Sequence, residues 1–209
     1  MGLEATCVAR VGRRSSEGKA RLEEKTLHFR GTFRLDIPLQ QIRRAEAKRG
    51  ALRVEFAEGV AAFDLGAAAE KWALKIRYPK PLIEKLGVNS GMRVGIVGTP
   101  DRARDAAFWR ELEARSAEVR ALRASAAAAE FDLVFAFIES AARLDLLALG
   151  ERHIARNGAV WAIYPKGVKI VTEAGVMAAA KKAGLVDVKN VSFSETHSGL
   201  RLMVPLARR

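Results

Sequence analysis

Cysteine is nearly missing from this chain: Cys7 is the only one in 209 residues. No disulfide can form within the chain and no cysteine-based metal cluster can be built, which suits a reducing, cytoplasmic setting. Histidine is almost as scarce. His28, His153 and His197 are scattered without HxH or HExxH spacing, so no metal ligand is assigned. Neither a Ser-His-Asp order nor a GxSxG elbow is present, and no catalytic residue is assigned. Long apolar runs are absent too; those such as 133–138 fall far short of the roughly 20 residues that cross a bilayer. Arg10, Arg13 and Arg14 have no apolar run behind them, so no secretory signal is expected. Residues 1–6 fit the loose myristoylation pattern beside Cys7, a short pattern that we set aside.

Acidic residues are outnumbered, 24 against 36 Lys and Arg, for a net charge of +12. The surplus is spread along the chain: residues 1–90 carry 18 basic and 11 acidic groups, residues 91–209 carry 18 and 13. A nucleic-acid protein usually gathers its charge in one stripe. The diffuse surplus favours weak, non-specific contact with nucleic acid or an anionic surface at low salt. The clusters Arg43-Arg44 with Lys48-Arg49, and Arg208-Arg209, lack interleaved aromatics in the sequence. Hydrophobic residues reach 49%, enough for two small cores.

Along residues 5–66 the pattern is strand after strand. Residues 26–30 and 52–56 alternate polar and apolar, as in a sheet with one wet face, and Gly18, Gly31, Gly50 and Gly59 punctuate the runs. The period then changes: residues 67–78 read as a helix with Ala68, Trp72 and Ile76 on one stripe. Pro79 and Pro81 stop it, and Tyr78-Pro79-Lys80-Pro81 reads as a domain linker. The expected domains are 1–80, β-rich and closed by a helix, and 81–209. The strand around Leu27-His28-Phe29, the segment Ile37-Pro38-Leu39-Gln40-Gln41-Ile42 and the Trp72 helix resemble the pleckstrin-homology-like superfold. That resemblance implies a phosphoinositide or peptide site.

After the linker the grammar is β-α-β. Residues 93–98 form a short apolar strand, 104–115 a helix, 119–123 and 132–138 strands, and 141–155 a helix. A strand at 159–164, a helix at 173–183 and a closing hairpin of 186–195 with 200–206 complete the reading, with the turn at Thr196-His197-Ser198-Gly199. The expected class is therefore α/β: a Rossmann-like, mostly parallel sheet with a final antiparallel strand, plus the small β-rich domain.

Five segments in order resemble a bacterial family of domains of unknown function. They are Leu86-Gly87-Val88 with Gly91-Met92-Arg93-Val94, Gly98-Thr99-Pro100-Asp101, Trp161-Ala162-Ile163-Tyr164-Pro165-Lys166, Gly184-Leu185-Val186-Asp187-Val188-Lys189, and Glu195-Thr196-His197-Ser198-Gly199-Leu200. The first strand ending in Gly98, the run Phe131-Asp132-Leu133-Val134 and the Gly158 turn into Trp161 also resemble an S-adenosylmethionine-dependent methyltransferase core. The final antiparallel strand belongs to that superfamily as well. The fingerprint departs from it. The first turn offers only Gly95 and Gly98, and Arg120 and Arg123 stand where an acidic side chain would hold ribose hydroxyls. A degenerate core is expected, with no cofactor.

Ligands of open α/β sheets bind beyond the carboxyl ends of the parallel strands. That rule selects Gly98, Thr99, Pro100, Asp101, Glu139, Ser140 and Lys166, and the turn with Glu195, His197 and Ser198 if it opens on the same rim. Each has a plainer role to set beside this. Asp101 can cap the following helix; Glu139 and Ser140 can start one; Lys166 can be a solvated strand end and His197 a wet turn residue. His28 and His153 have no evident partner. The expected function is a non-enzymatic binding or interaction protein, taking a small anionic ligand or a protein partner. The alternatives are a methyltransferase-like enzyme and charge-driven binding to nucleic acid or an anionic surface.

Overall fold

The computed structural model describes residues 2–125 and 130–209. Its chain divides into two compact units, Met1–Lys80 and Pro81–Arg209.

The first unit is a seven-stranded antiparallel sheet. Its strands are β1 (Leu3–Val11), β2 (Arg14–Leu22), β3 (Thr26–Gly31), β4 (Arg34–Pro38), β5 (Arg44–Lys48), β6 (Ala51–Phe56) and β7 (Gly59–Asp64), in the order β4-β3-β2-β1-β7-β6-β5. Alternation decides which side faces inward: Leu27 and Phe29, Leu52 and Val54, and Ala61 and Phe63 are buried, while their neighbours stay wetter. The β5–β6 hairpin turns on Arg49 and Gly50, both at positive φ (52° and 77°), which is the geometry of a two-residue turn matched to strand twist. Helix α1 (Ala68–Arg77) packs on β5 and β6. Its buried line is Ala69, Trp72 and Ala73; Ala68 and Ile76, expected on that line, lie at its margin. His28 is a correction: it pairs with Asp36 and lies 3.8 Å from Glu23.

The second unit carries a six-stranded sheet in the order β12-β13-β11-β10-β8-β9. The strands are β8 (Arg93–Gly98), β9 (Glu118–Ala121), β10 (Phe131–Phe137), β11 (Ile154–Pro165), β12 (Val186–Ser192) and β13 (His197–Met203). Strands β9, β8, β10 and β11 run parallel, and β13 is antiparallel to both β11 and β12. The sheet is thus mixed, with one reversed strand set inside its far edge. Side chains of β10 alternate between two cores. Leu133, Phe135 and Phe137 pack with α2 (Leu82–Lys85) and α3 (Ala106–Arg115); Val134 and Ala136 pack with α4 (Leu146–Glu151) and α5 (Glu173–Lys182). Trp161 fills the first core and donates its indole N–H to the Leu86 carbonyl at 2.9 Å.

Three expectations about elements are corrected. The helix expected over 141–155 is a single turn at Ala141–Arg143 followed by the short α4. Strand β11 claims the chain from Ile154, because Gly158 lets it bend against Phe131 and Asp132, where a Cβ would stand 2.8 Å from the Asp132 carbonyl. Strand β13 begins at His197, so the closing turn is 193–196, not 196–199.

Candidate functional site

The chain leaves β8 toward α3 on one face of the sheet and leaves β10 toward α4 on the other. Since β8 and β10 are neighbours, their carboxyl ends diverge into a crevice, the place where open α/β sheets bind ligands. Gly98 ends β8 opposite Phe137 with φ at +89°, and a Cβ there would lie 2.4 Å from the Phe137 carbonyl oxygen. A Cβ on Gly95 would lie 2.6 Å from the Leu122 Cδ1. Gly98 is therefore required by strand packing, whereas the Leu122 side chain over Gly95 is free to give way.

Beyond Gly98 come the exposed Thr99, the half-buried Pro100 and the exposed Asp101. The Asp101 carboxylate accepts the Arg104 N–H at 3.0 Å and its carbonyl accepts the Asp105 N–H at 3.4 Å. It caps a turn ahead of α3 and not the helix itself, which starts two residues later than expected. Arg104 grips Asp105 through Nε and Nη2 at 3.1 and 2.8 Å, and that carboxylate is almost fully covered. The bond to Asp105 holds the guanidinium above its ordinary range, with the charges of Glu139 and Asp101 adding to it. Three carboxylates thus gather around one arginine. Arg104 and Asp105 were missed in the sequence because they sit inside a stretch that reads as ordinary helix.

Glu139 follows β10, and its oxygens lie 3.3 and 3.4 Å from the His197 Nε2. His197 is a correction: it is 4% exposed, because it begins β13 opposite Pro165 and is no part of a wet turn. Its Nδ1 meets the Thr196 hydroxyl at 2.9 Å and its N–H donates to the Ser194 hydroxyl at 3.1 Å. Lys166 is likewise more than a solvated strand end. Its ammonium donates to the Ser192 hydroxyl at 2.6 Å and to the Ser194 carbonyl, and its N–H donates to the Thr196 carbonyl at 2.8 Å. Lys166 staples the 193–196 turn to the end of β11, so the turn opens on the same rim as Glu139. Ser140 offers its carbonyl to the Arg143 N–H at 3.0 Å; Glu195 is exposed, and Ser198 lies in the ladder opposite Tyr164. His153 is 3% exposed, away from this cluster in the chain turn before β11, and its Nδ1 has no hydrogen-bond partner among the described residues.

An aromatic wall backs the crevice on the α3 side. Trp109 lies 5.7 Å from Phe137 and 5.3 Å from Phe108 by ring centroids, and Phe193 lies 4.9 Å from Phe108. The Arg102 guanidinium covers Trp109 at 4.4 Å. The buried Trp109 Nε1 has no hydrogen-bond partner among the described residues, a cost of about 1–3 kcal/mol for a group of this kind. No sequence periodicity points to it, since an aromatic on a helix face normally reads as core.

No known family model and no curated protein matches the chain. Among solved structures it is similar to a putative methyltransferase from Thermoplasma acidophilum, at 10% identity over 95% of this chain and 97% of that one, with a TM-score of 0.45. It is also similar to an S-adenosylmethionine-dependent methyltransferase from Aquifex aeolicus, at 13% identity over 59% and 88%, with a TM-score of 0.46. A TehB-like enzyme of the same kind from Corynebacterium glutamicum gives 11% identity over 65% and 95%, with a TM-score of 0.43. At these identities and TM-scores the likenesses assign this chain neither a family nor an activity.

The C-terminal unit is an α/β core with a mixed sheet. The expectation of a non-enzymatic module on a decayed core finds no support among these structures, several of which are methyltransferases, and the strand order here runs unbroken from β9 to the reversed β13. Of the two glycines there, Gly98 is held by the packing of β8 against β10.

Proposed function

We propose that the methyltransferase-like core is an enzyme acting on a small molecule in the crevice between β8 and β10. One observation carries this: parallel strands in the order β9-β8-β10-β11, closed by an antiparallel β13 inside β12, with a charged rim at their carboxyl ends. S-adenosylmethionine is the candidate donor; when bound, it supplies a methyl group activated on a sulfonium.

The residues fit one end of that molecule. Asp101 and Glu139 offer exposed carboxylates to a cationic centre at the rim. They do not fit its ribose: β9 ends at Ala121, followed by the buried Leu122 and the exposed Arg123, with no carboxylate for the hydroxyls. The chain's own contribution is proton handling. A carboxylate held by a buried imidazole, whose other nitrogen meets a hydroxyl, is built to accept a proton from an attacking O–H or N–H.

Calorimetric titration and thermal unfolding with S-adenosylmethionine and S-adenosylhomocysteine test the reading. Saturable binding is expected, with stabilisation of about 2.7 kcal/mol at 100 times the dissociation constant. Arg123→Asp is expected to tighten it. Absence of any shift with either molecule at millimolar concentration sinks the proposal. Membership of the bacterial family of unknown function stays a proposal supported by its five ordered segments. The pleckstrin-homology-like reading of the first unit is also a proposal; α1 with Trp72 against an antiparallel sheet supports it, and it assigns no ligand.

A further inference from the structure

The basic pair Arg43-Arg44 has no aromatic beside it in the sequence, yet the fold of the first unit supplies one. A cavity of about 460 Å³ is lined by Ile42, Ala45 and Ile76, by Arg43, Arg44 and Arg77, and by Glu46 and Tyr78. It runs along β5, the edge strand of the sheet, and reaches the last turn of α1 and the residue after it. Tyr78 is 70% exposed, the Arg77 guanidinium lies 5.7 Å from its ring centroid, and neither is near Arg43 in sequence.

We propose that this groove binds single-stranded nucleic acid. Three properties point to that occupant. The guanidiniums are held on one wall and one end of an open groove, where phosphates of an extended strand can be met in succession. Glu46 pairs closely with Arg44 at 2.6 Å, while Glu70 reaches Arg77 only at 3.5 Å, so Arg43 and the loosely paired Arg77 are the main phosphate contacts. Lastly, an exposed phenol ring beside those cations is a stacking platform for a base, while the apolar floor of Ile42, Ala45 and Ile76 is too narrow in chemistry to select one base over another. A duplex hides its bases and gains nothing from Tyr78. An acidic peptide would use the arginines alone.

The test is fluorescence anisotropy on the full chain with labelled 12-nucleotide single-stranded RNA and DNA, a matching duplex and a poly-glutamate peptide, between 50 and 200 mM salt. Tyr78→Ala is expected to weaken single-strand binding on the order of 5- to 100-fold and to leave any peptide binding unchanged. The double reversal Arg43→Glu with Arg77→Glu should lower the slope of log affinity against log salt by about 1.4, the contribution of two phosphate contacts on a single strand. A control pair elsewhere, Arg13→Glu with Arg110→Glu, makes the same change in net charge and should retain most of the affinity. Thermal unfolding of each variant checks that these surface changes leave the fold intact. The inference is overturned if the unmodified chain fails to bind at 50 mM salt, or if Tyr78→Ala binds as well as the parent. It is equally overturned if the control pair loses as much as the groove pair, or if duplex or poly-glutamate binds as tightly as the single strand.

Discussion

His197 is buried with both ring nitrogens engaged, whereas its partner Glu139 has a side chain 46% exposed. The two ends of this pair therefore answer differently to substitution. Glu139→Gln is expected to leave stability within about 0.5 kcal/mol, because the amide stays in water and can still accept from the imidazole. His197→Ala leaves a cavity where the buried imidazole stood, at a cost of about 1–3 kcal/mol in chemical denaturation. Both variants should weaken any ligand of the crevice seen by thermal shift; undiminished binding in both would remove the pair from the site. Cys7 gives a second test at this scale. Burial, with the Asp64 charge behind it, pushes its thiol up to about 11 from an ordinary 9. The folded state holds the neutral thiol, so its contribution to stability is complete below pH 9 and is lost as pH rises toward 11. Alkylation by iodoacetamide at pH 8 should be slow in the native chain and fast in denaturant, and Cys7→Ala should flatten stability between pH 9 and 11. Rapid native alkylation would contradict the burial. Which single residues belong to the rim was legible for Asp101, Glu139 and Lys166, since strand ends can be read from the apolar runs before them. The burial of His197 was not, because it turns on where β13 starts, and one residue of shift reverses the face of a strand.

At the scale of elements, β8 shows why glycine counts mislead. Its Gly98 stands at φ +89° against the Phe137 carbonyl, where an added Cβ would approach to 2.4 Å. Gly98→Ala then imposes both left-handed strain, on the order of 1–3 kcal/mol, and a backbone clash that separates β8 from β10. The expected outcome is a loss of several kcal/mol in denaturant unfolding, accompanied by loss of whatever binds in the crevice. A variant as stable as the parent would mean the turn relaxes and that this glycine is there for a ligand. The alternation of the early strands and the change of period at residue 67 are plain in the sequence, since period 2 and period 3.6 differ within a few residues. The split of 141–155 into a turn and the short α4 is not. Its Ala and Leu residues satisfy a helix pattern throughout, and only the competing ladder of β11 with β10 from Ile154 ends the helix early.

For the whole molecule, the two units have separate hydrophobic cores: one gathers Phe29, Phe63 and Trp72, and the others gather around the two faces of β10. Residues 77–81 between them are exposed, and Pro79 and Pro81 withhold backbone donors that either unit would need to extend its own structure across the gap. A protease admitted anywhere should be admitted there, since cleavage needs backbone free of its partners, and here few residues have any. Trypsin at low ratio is left with Arg77 as its cutting point, since the Lys80–Pro81 bond resists it, while Lys85 is held at the end of α2. The expected products are two protected fragments meeting near residue 80, each giving a cooperative unfolding transition, with the larger retaining any crevice ligand and the smaller any affinity for single strands. If digestion passes straight to small peptides once the 77–80 stretch is cut, the units depend on one another for stability. If the first cuts fall within β8 or β10, the second core is looser than its packing implies, and the crevice it frames is not a fixed site.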